Sequence, residues 1–285
     1  MKRVPAVFLM VGLVVAALLS PVGVGSVAAA PRVMIQVPVY SHAMNRTIIN
    51  NVLPAPGGSA PVFYLLHGAG GGSDRIGWEW NSSYRKFFEN KNVTVVSPVG
   101  GAGSFYTNWR HGDPKLGLNK WQTYLTRELP AAINRQFNGN GRNAVAGVSM
   151  SGGPALDLAA HAPRLYRAAA SYSGCPPQAT VGAPGVIGTV LAQGGNPGNM
   201  WAPGDYIAHD PTLNAARLRG KAIYISAGDV GPELAIRACS EIAAAALRAQ
   251  GVRVTYDAVR GDHSWAAFEA GLERSWRVIG PAVGA

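Results

Sequence analysis

One stretch constrains this chain more than any other: Val145-Ala146-Gly147-Val148-Ser149-Met150-Ser151-Gly152-Gly153. A short apolar run ends at a serine, and a helical pattern begins at once. A strand that passes directly into a helix must turn sharply, and bulky neighbours would collide with the helix packed against it. Gly147, Ser151 and Gly152 keep that corner small. The turn pushes the Ser149 hydroxyl out over the sheet edge and aims the next backbone N–H, that of Met150, at the same point. This is the strand–turn–helix context of a nucleophile elbow, G-x-S-x-G, with serine in place of the last glycine. The same string also suits a purely structural strand-to-helix corner, so the rest of the chain has to decide.

The elements on either side repeat one theme. Arg32 to Tyr40 alternates as a strand, and Thr47 to Val52 reads as its antiparallel partner. Val62 to Leu66, Val93 to Ser97, Arg167 to Tyr172, Ala222 to Ser226 and Val252 to Val259 are further strand candidates. Val62 to Leu66 is a continuous apolar run of the kind covered on both faces. Between the strands lie helical stretches. The clearest runs from about Leu118 to Phe137, where Trp121, Leu125, Leu129, Ile133 and Phe137 recur at four-residue steps. Others follow Ser149 as far as Ala162, span Glu233 to Gln250, and close the chain after Trp265. Strands alternating with helices imply an α/β fold, a mostly parallel sheet with helices on both faces. Gly174 to Asn214 is rich in Gly and Pro with little periodicity and reads as an insertion over the site. Phe105, Tyr106 and Trp109 fall in a loop, where they suit a substrate groove and lid packing equally.

Residues 1–30 read as a secretory signal: Lys2 and Arg3, an apolar stretch from Val7 to Leu19, and the small residues Ala28-Ala29-Ala30. That stretch is shorter than the roughly 20 residues a membrane-spanning helix needs. Residues 31–285 are then one domain. The formal charge is +10, about +8 without Lys2 and Arg3, a balance that suits an anionic envelope surface and peripheral association with it. No basic cluster interleaved with aromatics appears, which speaks against nucleic acid. An oxidising destination permits a bond between the two cysteines, Cys175 and Cys239; the alternative is two buried thiols.

Three further groups fall where a serine enzyme needs them. His263 lies in Gly261-Asp262-His263-Ser264-Trp265, just after the last strand, the place of the general base. A base must reach the serine hydroxyl while a carboxylate orients its other ring nitrogen. Two acids compete for that part, Asp229 directly after its strand and Glu233 at the start of the next helix, and spacing does not separate them. Asp262, beside His263, points elsewhere and is solvent-exposed on this reading. His67-Gly68-Ala69-Gly70-Gly71 is similar to the HGGG-type turn that completes an oxyanion hole, with the N–H groups of Ala69 and Met150 as donors. The loop lacks both the G-x-x-x-x-G-K-[ST] and the G-x-G-x-x-G spacing of nucleotide binders. No metal-ligand cluster is legible, because the six histidines are scattered and Cys175 has no C-x-x-C partner, so no cofactor is expected.

Together, Tyr64-Leu65-Leu66-His67-Gly68, Ser97-Pro98-Val99-Gly100-Gly101, Ser104-Phe105-Tyr106-Thr107-Asn108-Trp109, the Ser149 stretch, Asn199-Met200-Trp201-Ala202-Pro203 and His263-Ser264-Trp265 resemble the secreted mycolyltransferases, or fibronectin-binding antigens. These are cell-envelope enzymes of α/β-hydrolase fold. The resemblance implies acyl transfer from one sugar ester to another through an acyl-serine, with Ser149 as nucleophile, His263 as base, and Met150 and Ala69 at the oxyanion hole. It assigns the acid to Glu233. It places Trp201 near the acyl groove, and makes His67, Trp201, Ser264 and Trp265 the candidate substrate contacts. The family has aspartate at His67 and arginine at Gly70, both touching trehalose, and this chain has neither. The cysteine pair and a shorter Gly174–Asn214 segment also set it apart. The implied partners are an acyl glycolipid or other lipid ester and a sugar hydroxyl. The rival expectations are a secreted carboxylesterase with water as acceptor, and a non-catalytic binding protein on the same fold.

Overall fold

Strand runs of five to seven buried residues, covered on both faces, organise the molecule. The computed structural model describes Met1 and residues 32–285; the candidate leader and its cleavage point lie outside the described residues. Residues 32–285 form one compact unit. Eight strands make a single sheet: β1 (Ile35–Ser41), β2 (Arg46–Leu53), β3 (Ala60–Leu66), β4 (Thr94–Pro98), β5 (Gly139–Val148), β6 (Tyr166–Tyr172), β7 (Ala222–Ala227) and β8 (Val254–Ala258). Their order is β1-β2-β4-β3-β5-β6-β7-β8. β1 pairs with β2, and β2 with β4, antiparallel. All other pairings are parallel.

The helices are α1 (Trp78–Asn81), α2 (Tyr84–Phe88), α3 (residues 121–137), α4 (Gly152–His161), α5 (Ala183–Ala192), α6 (Pro197–Met200), α7 (Pro203–Ala208), α8 (Glu233–Ala249) and α9 (Trp265–Val283). Alternate residues of each strand face opposite sides, so two cores form. Tyr64, Leu66, Val145 and Ile225 pack under α3, α4 and α8. Phe63, Leu65, Ala146 and Tyr224 pack under α1, α2 and α9. This explains why β3 carries no polar residue.

Two features differ from the sequence expectation. The helix expected from Leu118 starts at Trp121, and its Tyr124–Glu128 turn is a π-helix. The Gly174–Asn214 stretch is not irregular: it carries α5, α6 and α7. Proline opens each of these helices at its first positions, where the missing N–H costs nothing. The same prolines and glycines hide the helical period from a sequence reading.

Candidate active site

β5 ends at Val148, and Ser149 then takes φ +55°, a left-handed conformation that a non-glycine residue adopts only under constraint. Gly147 is obligatory at this corner, since a Cβ there would lie 2.0 Å from the backbone oxygen of Ser151. Ser151 has its own reason to be serine. It is fully buried, its Oγ accepts from Val148 N at 2.8 Å, and it donates to Val148 O at 3.0 Å. The hydroxyl thus returns to the last strand residue and braces the turn, a role that the missing glycine of the motif does not reveal.

From β8 the chain delivers His263 to the same point: its Nε2 lies 2.9 Å from Ser149 Oγ. On the other side of the ring, Nδ1 meets Glu233 Oε1 in a close contact. Glu233 opens α8 and is wholly buried, and its second oxygen accepts from Gly228 N at 2.5 Å. Asp229, the competing acid, is occupied elsewhere. Its carboxylate accepts from Gly261 N at 2.9 Å, and its own N–H donates to Gly261 O at 2.9 Å. Asp229 therefore ties the loop that carries the histidine to the loop that carries Glu233. Asp262 is exposed.

The loop after β3 passes over Ser149, where a Cβ at Gly68 would lie 3.6 Å from the serine Cβ. Gly71 N donates to Gly68 O at 3.0 Å, closing a turn in which the Ala69 N–H has no protein acceptor among the described residues. The Met150 N–H opens a 3-10 turn, and the first N–H groups of a helix have no intrahelical partner. Met150 itself is buried and lines a cavity of about 160 Å³ beside Ser149, with Phe105, Ser173 and Val186. A second, mainly apolar cavity of about 310 Å³ shares Cys175, Gly182, Gly185 and Ile236 with the first and extends between α5 and α8. The Cys175–Cys239 disulfide, Cα–Cα 5.3 Å, lies along it. Tyr106 and Trp109 are core residues, so of the loop aromatics only Phe105 lines the cavity at Ser149.

The expected substrate contacts fare differently. His67 does not face substrate: it has no exposed surface. Ser97 Oγ donates to Leu65 O at 3.1 Å, so it accepts from His67 Nε2 at 3.0 Å. Gly72, at φ +76°, leaves the loop no room for a Cβ, which would meet the ring at 2.7 Å. His67 thus props the loop from below. Trp201 is also buried. It stacks on His209, 4.9 Å between ring centroids, and stands behind Phe105 rather than in the cleft. Trp265 packs edge-on against Trp78 and Phe268, and Ser264 precedes α9 as its N-cap. His67 and Trp201, which the resemblance put among the substrate contacts, are thus packing groups, while Ser264 and Trp265 are partly exposed.

Burial pushes the His67 imidazole from 6.5 down to about 4, against a small opposing pull from Asp74. Between those values the unfolded chain binds a proton that the folded protein excludes. Stability is therefore complete above pH 6.5 and declines as pH falls toward 4, by about 3 kcal/mol in all. Denaturant titrations across that window should show a shallower decline in a His67→Gln variant; an identical slope would remove His67 as its source.

The structure also brings together a group that sequence separated. Asp157 and His161 are four residues apart on α4, and His209 follows α7. The three ligand-bearing side chains lie within 4.8 Å of one another. The expectation of scattered histidines is corrected for these two.

A serine at the tight corner after a central parallel strand, with a histidine delivered beside it from the end of β8, defines an α/β hydrolase. The chain belongs to the esterase family, whose model, described as "Putative esterase", matches residues 41–277. Its homologues include the diacylglycerol acyltransferase/mycolyltransferase Ag85A of Mycobacterium gordonae, 36% identical over 79% of this chain and 71% of that protein. Ag85C of Mycobacterium avium is 37% identical over 74% of this chain and 61% of that protein. Among solved structures, Mycobacterium tuberculosis MPT51 (FbpC1) superposes with TM-score 0.77 at 26% identity, covering 90% of this chain and 99% of that one. An S-formylglutathione hydrolase from Agrobacterium tumefaciens shares the fold, TM-score 0.74 at 17% identity, covering 90% and 98%.

Proposed function

We propose that this protein is a secreted, envelope-associated acyltransferase that moves a long acyl chain from a lipid ester to a sugar hydroxyl through an acyl-serine. The observation that carries the reading is the Ser149–His263–Glu233 chain of contacts at the head of an apolar groove. His263 Nε2 takes the Ser149 proton as the oxygen attacks the ester carbonyl. Buried Glu233 holds the imidazole in orientation and stabilises its cationic form. The N–H groups of Ala69 and Met150 receive the oxyanion. Collapse of the tetrahedral intermediate expels the alcohol, which leaves with the proton from Nε2. The acceptor hydroxyl then gives its proton to the same nitrogen and attacks the acyl-serine; as the second tetrahedral intermediate collapses, Nε2 returns that proton to Ser149 Oγ and the new ester is released.

The groove supports a lipid substrate. Val181 and Ile242 line it and remain 56% and 48% exposed, an apolar rim more suited to an acyl chain than to water. Among the described residues no helix is long and apolar enough to cross a membrane. Hydrolysis uses the same acyl-serine with water as acceptor, and Gly70, which offers a sugar no side chain, favours it as the second reading.

Incubation with a long-chain acyl ester and trehalose, followed by lipid separation, tests the proposal. A new acylated sugar is expected. Free fatty acid alone would overturn transfer to trehalose and leave the esterase, and neither product would leave the binding-protein alternative.

A further inference from the structure

We propose that Asp157, His161 and His209 form a binding site for a divalent transition-metal ion of the zinc class, and that the ion would clamp α4 to the segment behind the cleft. The residues converge from two parts of the chain. A four-residue step puts Asp157 and His161 on one face of α4, the spacing by which helices present paired metal ligands. His209 arrives from α7, and its Nδ1 lies 2.8 Å from Asp157 Oδ2. On the other side His161 Nδ1 lies 2.9 Å from Asp157 Oδ1.

One carboxylate faces two imidazoles here. The His161 Nδ1 contact with hydrogen-bond geometry is to its own helix, the Asp157 carbonyl at 3.1 Å. Asp157 Oδ1, on a residue only 4% exposed, faces His161 Nδ1 at 2.9 Å but makes no contact with hydrogen-bond geometry. A buried carboxylate oxygen without a well-aligned donor forgoes part of its hydrogen bonding. One cation facing Oδ1 and both imidazole nitrogens resolves it. Ligand bonds of about 2.0–2.2 Å place such atoms about 3.3 Å apart, so each Asp157–histidine contact need open only by a few tenths of an ångström, while all the ligand atoms already lie within 4.8 Å of one another. Two imidazoles and one carboxylate favour Zn²⁺, Ni²⁺ or Cu²⁺ over Mg²⁺ or Ca²⁺, and leave a fourth position for water.

The surroundings hold His209 ready. Trp201 stacks on its ring with planes 7° apart, and Gln178 Nε2 donates to its carbonyl at 2.9 Å. Trp201 in turn packs against Phe105, which lines the cavity at Ser149. Metal at this site would therefore fix the back of the cleft without touching the reacting atoms.

The test uses tag-free protein dialysed against zinc chloride, with metal content by mass spectrometry, affinity by calorimetry and Tm with and without chelator. The wild type should retain about one equivalent, and chelation should lower its Tm. His209→Asn and Asp157→Asn should each weaken Zn²⁺ by more than the roughly 10–100-fold that losing an outer-shell partner costs. His161→Gln, at the more exposed edge of the cluster, should do the same while circular dichroism shows a native fold. A wild type that retains no zinc overturns the proposal. So does a folded His161→Gln protein that binds zinc as tightly as the wild type.

Discussion

Ser149→Ala is expected to lower turnover of any long-chain ester by roughly 10³–10⁶-fold, with the fold intact. Alanine keeps the Cβ that serine already places at φ +55°, so the corner is no more strained than before. What goes is the oxygen 2.9 Å from His263 Nε2. The residual rate reports the oxyanion donors and binding alone. Labelling with a serine-directed phosphonate provides the second measurement. The wild-type protein should carry the mass on the peptide spanning residues 145–153, and the variant should not. Undiminished turnover in Ser149→Ala would falsify the acyl-serine mechanism, for transferase and esterase alike.

The second large effect concerns stability. Replacing Cys175 and Cys239 together by serine releases a cross-link across 64 positions of sequence. The chain-entropy account gives a loss of about 4 kcal/mol, or about 10 °C in Tm for a chain of this size. The loss should be accompanied by a change in the cleft, because Cys175 lies beside Ser149 and Cys239 is on the first turns of α8 behind Glu233. Alkylation of the untreated protein checks the premise: no thiol should react before reduction. Two reactive thiols, or an unchanged Tm in the double variant, would remove the bond from the stability account.

Much of this was legible in the amino-acid sequence, and for physical reasons. The strands are short apolar runs because both faces are covered, and the corner at Ser149 is small because larger residues collide. Glycine at 147 is dictated by a clash with backbone, which no side-chain rearrangement can relieve. The choice between Asp229 and Glu233 was not legible from spacing, since both follow β7. Their directions differ: Asp229 turns to the Gly261 backbone, and Glu233 turns to the imidazole. His67 was misread because its burial depends on Gly72 and Gly77 folding across the ring, a tertiary fact. The His161–His209 pairing was invisible because 48 residues separate two histidines whose meeting depends on α5, α6 and α7. Those helices were themselves masked by the prolines that start them.

The tie between Asp229 and Gly261 has a mechanical corollary. Two hairpin-like tips, one after each of the last two strands, are riveted at backbone level, so the carboxylate and the imidazole ride on a common plate. Jostling of that rim should carry both groups together and leave their mutual spacing unchanged, while the gap to the serine hydroxyl opens and shuts. The expected variable coordinate is then the approach of the Glu233–His263 pair to Ser149.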